Sequence, residues 1–153
     1  MNITSKLSFF SLRIALGWLF FYAGITKILN PEWSAAGYLQ NAKTFTSFYQ
    51  WLASPEILPL TNFMNEWSLT LLGISLLFGV FVRVSSIGGA LLMVLYYFPV
   101  VEMKAFEFLP TLTVPYIGGH SVLVDEHIVY ALALLVLASV GAGRIWGLEK
   151  MIS

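Results

Sequence analysis

The residues best suited to chemistry fall in separate parts of the chain. Lys27 closes an apolar run, Glu66 and Trp67 open another, and Gly119, His120, Ser121, Asp125, Glu126 and His127 precede a third. A lysine partly withdrawn from water seeks an anion, which Asp125 or Glu126 would supply. His127, beside two carboxylates, suits proton acceptance near neutral pH or hydrogen-bond donation to a carbonyl oxygen. Lys27, Asp125 and His127 are therefore the candidate catalytic residues, with Trp67, Glu126 and His120 as candidate cofactor contacts. A quinone head would use such parts: aromatic walls, a donor for each carbonyl and a proton path to water. A structural role competes, because Asp125 and Glu126 also suit the unpaired amides of a helix's first turn, and histidines tolerate the headgroup region.

These residues can meet only if long elements bring them to one level. The chain has 153 residues, 58% hydrophobic and 10% charged, against the ~25% charged residues usual in a soluble domain. That deficit points to an integral membrane protein. Phe9 to Leu29 is an apolar run carrying Arg13 and Lys27, and a helix of that length rises about 30 Å, roughly a bilayer core. Its length and its ending on Lys27 and Asn30 read as a retained helix rather than a cleaved signal. Further runs predict spans over 65–82, 85–101 and 122–142, giving one domain over 1–153. The expected fold is an all-α, antiparallel four-helix transmembrane bundle, the Arg83–Ser86 turn forcing the second and third helices side by side.

Arg13, Gly17, Phe20, Gly24 and Lys27 recur at spacings of three and four, so they share a helix face on which the glycines admit a close neighbour. Arg13 and Lys27 also suit snorkelling toward opposite membrane edges. In the third run, Ser86, Gly89, Ala90 and Met93 make a second small-residue side. The long outer loop, 30–64, is rich in aromatics. There Phe45, Phe48, Tyr49 and Leu52 follow a helical face, which predicts an additional interfacial amphipathic helix lying over one end of the bundle.

With an even number of crossings both termini share a face. Lys6, Arg13, Arg83, Arg144 and Lys150 against Glu149 fall on it; Lys27, Lys43 and Lys104 against the remaining acids fall opposite. The bias of basic residues predicts a multi-pass protein of the cell membrane with both termini cytoplasmic. The polar cluster then lies at the outer edge.

The chain has no cysteine, which excludes a disulfide scaffold and thiolate ligation. Basic patches for a phosphate backbone are absent, setting nucleic acid aside. The spacing of His120 and His127 with Asp125 or Glu126 matches no compact metal motif, so no metal is assigned. Phosphate loops, HExxH pairs and nucleophile elbows are also missing. Ser11, Ser75 and Ser139 lie in apolar helices, where hydroxyls bond to preceding carbonyls.

The stretches LRIALGWLFFYAGITKI at 12–28, WSLTLLGISLLFGVFVR at 67–83 and GGHSVLVDEHIVYALALLVLASVGAGR at 118–144 resemble the DoxX family, including DoxD-like small subunits of thiosulfate:quinone oxidoreductase. The resemblance implies a four-helix membrane bundle acting beside redox enzymes, and makes Arg13, Lys27, Asp125 and His127 candidates for one shared polar site. Three functions follow: a redox-associated subunit that interacts with a membrane quinone and a redox-enzyme partner, a non-catalytic assembly or scaffold subunit, or a small-molecule carrier completed by homo-oligomerisation.

Overall fold

Asn2 starts the first helix: its side-chain oxygen accepts the Ser5 amide at 2.8 Å, the N-cap arrangement that pairs an otherwise orphaned donor. Helix α1 (Ile3–Ile28) therefore begins before the apolar run itself. In the computed structural model, which describes residues 1–101 and 124–152, it is followed by α2 (Ala36–Gln40), α3 (Thr46–Leu52), α4 (Leu58–Phe78) and α5 (Val82–Val100). Then come α6 (Glu126–Ser139), a 3-10 turn at Ala142–Arg144 and α7 (Glu149–Ile152). No strand occurs among the described residues.

The expected boundaries shift where local chemistry outweighs hydrophobic periodicity. Helix α4 starts seven residues earlier than the predicted 65, with Pro59 in its first turn, where a missing amide hydrogen is no loss. It stops at Gly79, whose φ of +68° ends the helix. Helix α5 then begins at Val82, so Arg83 lies inside it rather than in the turn. The start of α6 is fixed by Asp125, whose carboxylate accepts the Ile128 amide at 3.2 Å; predicted residues 122 and 123 lie outside the described residues. Helix α6 ends at Ser139, short of the predicted 142, ahead of Gly141 at φ +61°.

The long helices pack as two intimate pairs, α1 with α4 and α5 with α6, joined more sparsely across α4–α5 and α1–α6. The expected face of α1 is the packed one, with Arg13, Leu16, Gly17, Phe20 and Gly24 buried. A Cβ on Gly24 would lie 2.5 Å from the Thr70 amide nitrogen, and one on Gly73 2.3 Å from that of Phe21. Backbone contact at this range explains the glycines. Phe20, Leu72, Leu76, Met93, Leu134 and Leu137 fill the centre. Among the described residues, Ile3–Ile28 and Val82–Val100 are long and apolar enough to cross a membrane. Of the intrahelical serines, Ser139 bonds back to Val136, but Ser75 reaches forward, donating to the Val80 carbonyl at 2.5 Å.

Helices α2 and α3 form a collar with its own small core of Ala35, Leu39, Tyr49 and Ala53. The predicted face over 45–52 is only half correct. Phe45 takes a left-handed φ of 51° ahead of α3, which breaks the helical register. Phe45 and Phe48 consequently remain 61% and 46% exposed while Tyr49 is 3% exposed. The collar is tied to the end of α5. Pro99 has no amide hydrogen for the Leu95 carbonyl, and the Tyr49 hydroxyl donates to that carbonyl at 2.8 Å. Lys43 N donates to the Pro99 carbonyl at 3.0 Å, and Thr44 Oγ1 to that of Val101 at 2.6 Å.

Candidate functional site

The antiparallel pairing brings the last turn of α1 beside the first half of α4, the last turns of α5 and the start of α6. Lys27 Nζ donates to Asn65 Oδ1 at 2.7 Å. The ammonium also stands 4.6 Å from the Trp33 ring centroid and 6.0 Å from that of Tyr96, within the range of cation–π attraction. His127 Nδ1 lies 2.6 Å from Asp125 Oδ2, and its imidazole meets the Tyr96 ring edge-on, centroids 6.0 Å apart at 87°. Tyr96 is thus touched by Lys27 from one pair of helices and by His127 from its own.

Between them is a cavity of about 270 Å³, lined by Lys27, Trp33, Ser34, Ala35, Tyr38, Asn65, Tyr96 and His127. The collar supplies Trp33 through Tyr38. Its placement is fixed by the Ala35 amide, which donates to Asn62 Oδ1 at 2.9 Å, and by the Tyr38 hydroxyl, which donates to the Tyr96 carbonyl. Desolvation, followed by the nearby Tyr49, Asp125 and Glu126, pushes the Tyr38 phenol well above its ordinary value, so it stays a donor. The Tyr96 hydroxyl is buried with no hydrogen-bond partner among the described residues. Such a group is costly to leave unmet.

The sequence candidates separate accordingly. Lys27 and His127 line the cavity, and Asp125 holds His127 rather than pairing with Lys27. Trp67 is 42% exposed and stacks near Phe63, centroids 6.1 Å apart; it does not line the cavity. Glu126 is exposed in the first turn of α6. His120 lies outside the described residues. Arg13 does not share the site implied by the resemblance, because 14 residues of α1 separate it from Lys27, or about 21 Å. It is 1% exposed at the other end, with Nη1 donating to the Ala142 carbonyl at 2.8 Å and Nη2 to that of Trp146 at 3.4 Å. No group of three or more His, Cys, Asp or Glu residues suited to a metal occurs among the described residues.

Asn65, Trp33, Tyr38 and Tyr96 were not selected by sequence reasoning. Asn65 carried a signal, being a neutral amide at the same predicted membrane edge as Lys27. The three aromatics stood in a region crowded with others and carried none.

A family model described as DoxX matches residues 8–101. The chain belongs to the DoxX family. The match in this DoxX membrane protein spans Arg13, Lys27, Asn65 and Tyr96, while Asp125 and His127 lie beyond it. No curated protein and no solved structure matches the chain.

Proposed function

We propose that this DoxX-family chain is a multi-pass membrane subunit that binds the head of a membrane quinone beside Lys27 and serves a redox-enzyme partner. The observation that carries the reading is the convergence of Lys27, Tyr96 and His127 on one aromatic-walled cavity. Its volume of about 270 Å³ lies just below the usual range of ligand pockets, ~300–1,000 Å³, and suits a single substituted ring. Lys27 would donate to a ring oxygen, Tyr96 would give an aromatic wall, and the Asp125–His127 pair would handle a proton. The electrons pass to or from the partner, whose likeness to the DoxD-associated oxidoreductases remains part of this proposal.

In this reading α1, α4, α5 and α6 all cross the bilayer and the α2–α3 collar lies in its outer interface. Support comes from the antiparallel pairing and from the aromatic side chains left outward, among them Trp18, Tyr22, Phe45 and Trp51. The bias of basic residues, Lys6, Arg13, Arg83, Arg144 and Lys150, supports cytoplasmic termini in this reading.

The test is mass spectrometry of small molecules retained by the protein purified in native lipid, comparing wild type with Lys27→Ala and His127→Ala. Stoichiometric quinone in wild type alone supports the proposal. Absence of quinone, with failure to bind added quinone, overturns it. A second reading, an assembly subunit, is favoured by the groove between α4 and α5, about 370 Å³, where Ser68, Ser85 and Gly88 offer small side chains and Gly88 faces open space. Under that reading the same protein partner copurifies with every variant and quinone with none.

A further inference from the structure

Asp125 decides which nitrogen of His127 is free. At 2.6 Å from Nδ1, its Oδ2 accepts and the imidazole donates. The Nδ1 proton is committed to that bond, so a neutral His127 keeps its lone pair on Nε2, the remaining nitrogen of a residue that lines the cavity. A histidine oriented by a carboxylate in this way is a proton acceptor, and the carboxylate stabilises the imidazolium that results.

Lys27 faces the same space. Its near partners are all neutral: the Asn65 amide oxygen and the faces of Trp33 and Tyr96. No carboxylate forms an ion pair with it among the described residues, Glu66 acting only at longer range. A base and a cation whose near partners are neutral, beside one ring-sized cavity, match a hydroxyl that gives up its proton more closely than they match a neutral carbonyl.

We infer that the cavity takes a phenolic ring hydroxyl, that of the quinol form, and binds it as the phenolate. This rests on the quinone reading and deepens it by naming the form of ligand held. The ligand O–H bond breaks and an Nε2–H bond forms on His127. The resulting oxyanion is held by Lys27 Nζ, and the imidazolium by Asp125. No electron moves in this step, and a neutral phenol and neutral imidazole become an anion and a cation. The other ionisable groups around the cavity are Tyr38 on α2, Glu66 on α4 and Glu126 at the start of α6.

The probe is 4-nitrophenol, coloured only when ionised, added to the full chain in mild detergent alongside a short-tailed benzoquinone that has no hydroxyl. The expected result is that bound nitrophenol ionises about one pH unit or more below the free compound, a tenfold change in its ionisation constant. Lys27→Met and His127→Gln each abolish that shift, Asp125→Asn reduces it, and Trp67→Phe, outside the cavity, leaves it intact. Nitrophenol bound in its neutral form, or a shift unchanged in both Lys27→Met and His127→Gln, overturns the inference. If the benzoquinone binds while nitrophenol is neutral or unbound, the inference fails and the quinone reading stands. If neither compound binds, both fail.

Discussion

The Tyr49 hydroxyl donates to the Leu95 carbonyl at 2.8 Å, standing in for the amide hydrogen that Pro99 does not have. A break in one helix thereby becomes the attachment point of a separate element, and the collar that roofs the Lys27 cavity is held by it. Tyr49→Phe removes the donor from that part-buried carbonyl, at a cost of about 0.5–1.5 kcal/mol, the net contribution of a typical hydrogen bond. Thermal unfolding in detergent should show the loss, and hydrogen exchange should quicken across α2 and α3 while α1 and α4 keep their protection.

The glycines of the α1–α4 seam set a sharper test of packing. Gly24→Ala and Gly73→Ala each drive a methyl into backbone of the opposite helix, and each should destabilise the protein by about 1–3 kcal/mol, the range for overpacked sites. Gly88→Ala meets nothing within 4 Å among the described residues and should gain about 0.5–1 kcal/mol from better helix propensity. Paired unfolding measurements on the three variants check the sign in each case.

Arg13 is predicted to act at a distance from the ligand. Its guanidinium bonds the carbonyls of Ala142 and Trp146, and the chain just beyond is tied down where Leu148 N and Glu149 N donate to the Phe78 and Gly79 carbonyls at 3.0 Å each. Arg13→Gln should cost about 2 kcal/mol or more, since hydrogen bonds from a charged donor contribute about 1.5–3 kcal/mol. Limited proteolysis should then open the C-terminal segment after Arg144, while retention of the proposed quinone at Lys27 is unchanged. Loss of the ligand without loss of stability would place Arg13 in the binding site after all.

The Tyr38 phenol gives a pH signature. Its value is raised in the folded protein, above 10.0, so the folded state holds this proton where the unfolded chain releases it. Stability is therefore unaffected at lower pH and falls as pH climbs through 10.0 toward the folded value. Tyr38→Phe should lessen that decline and remove one late step of the tyrosinate absorbance titration.

What the sequence made legible follows from periodicity. Arg13, Gly17, Phe20 and Gly24 share a face because of spacing alone, and that face is buried. The Asp125 cap was equally readable from residue type and position. The early start of α4 was hidden because Pro59 reads as loop punctuation as readily as a helix's first turn. Asn65 meets Lys27 across 38 positions, a contact fixed by the register of two helices whose glycines set it. Tyr96 stayed invisible as a hub because its neighbours come from the collar and from α6, elements whose placement no local pattern encodes.

The division of the long helices into two tight pairs has a mechanical corollary. Lys27 and Asn65 ride on the α1–α4 pair, whereas Tyr96 and His127 ride on α5–α6, and the cavity straddles the looser seam between the two. Each half is a closely packed jaw, bolted at the far end by Arg13 and strapped at the near end by the collar. A guest gripped by both jaws would act as a clamp bolt, and the spacing of the groups that hold it would open or close with any pivot of one half against the other.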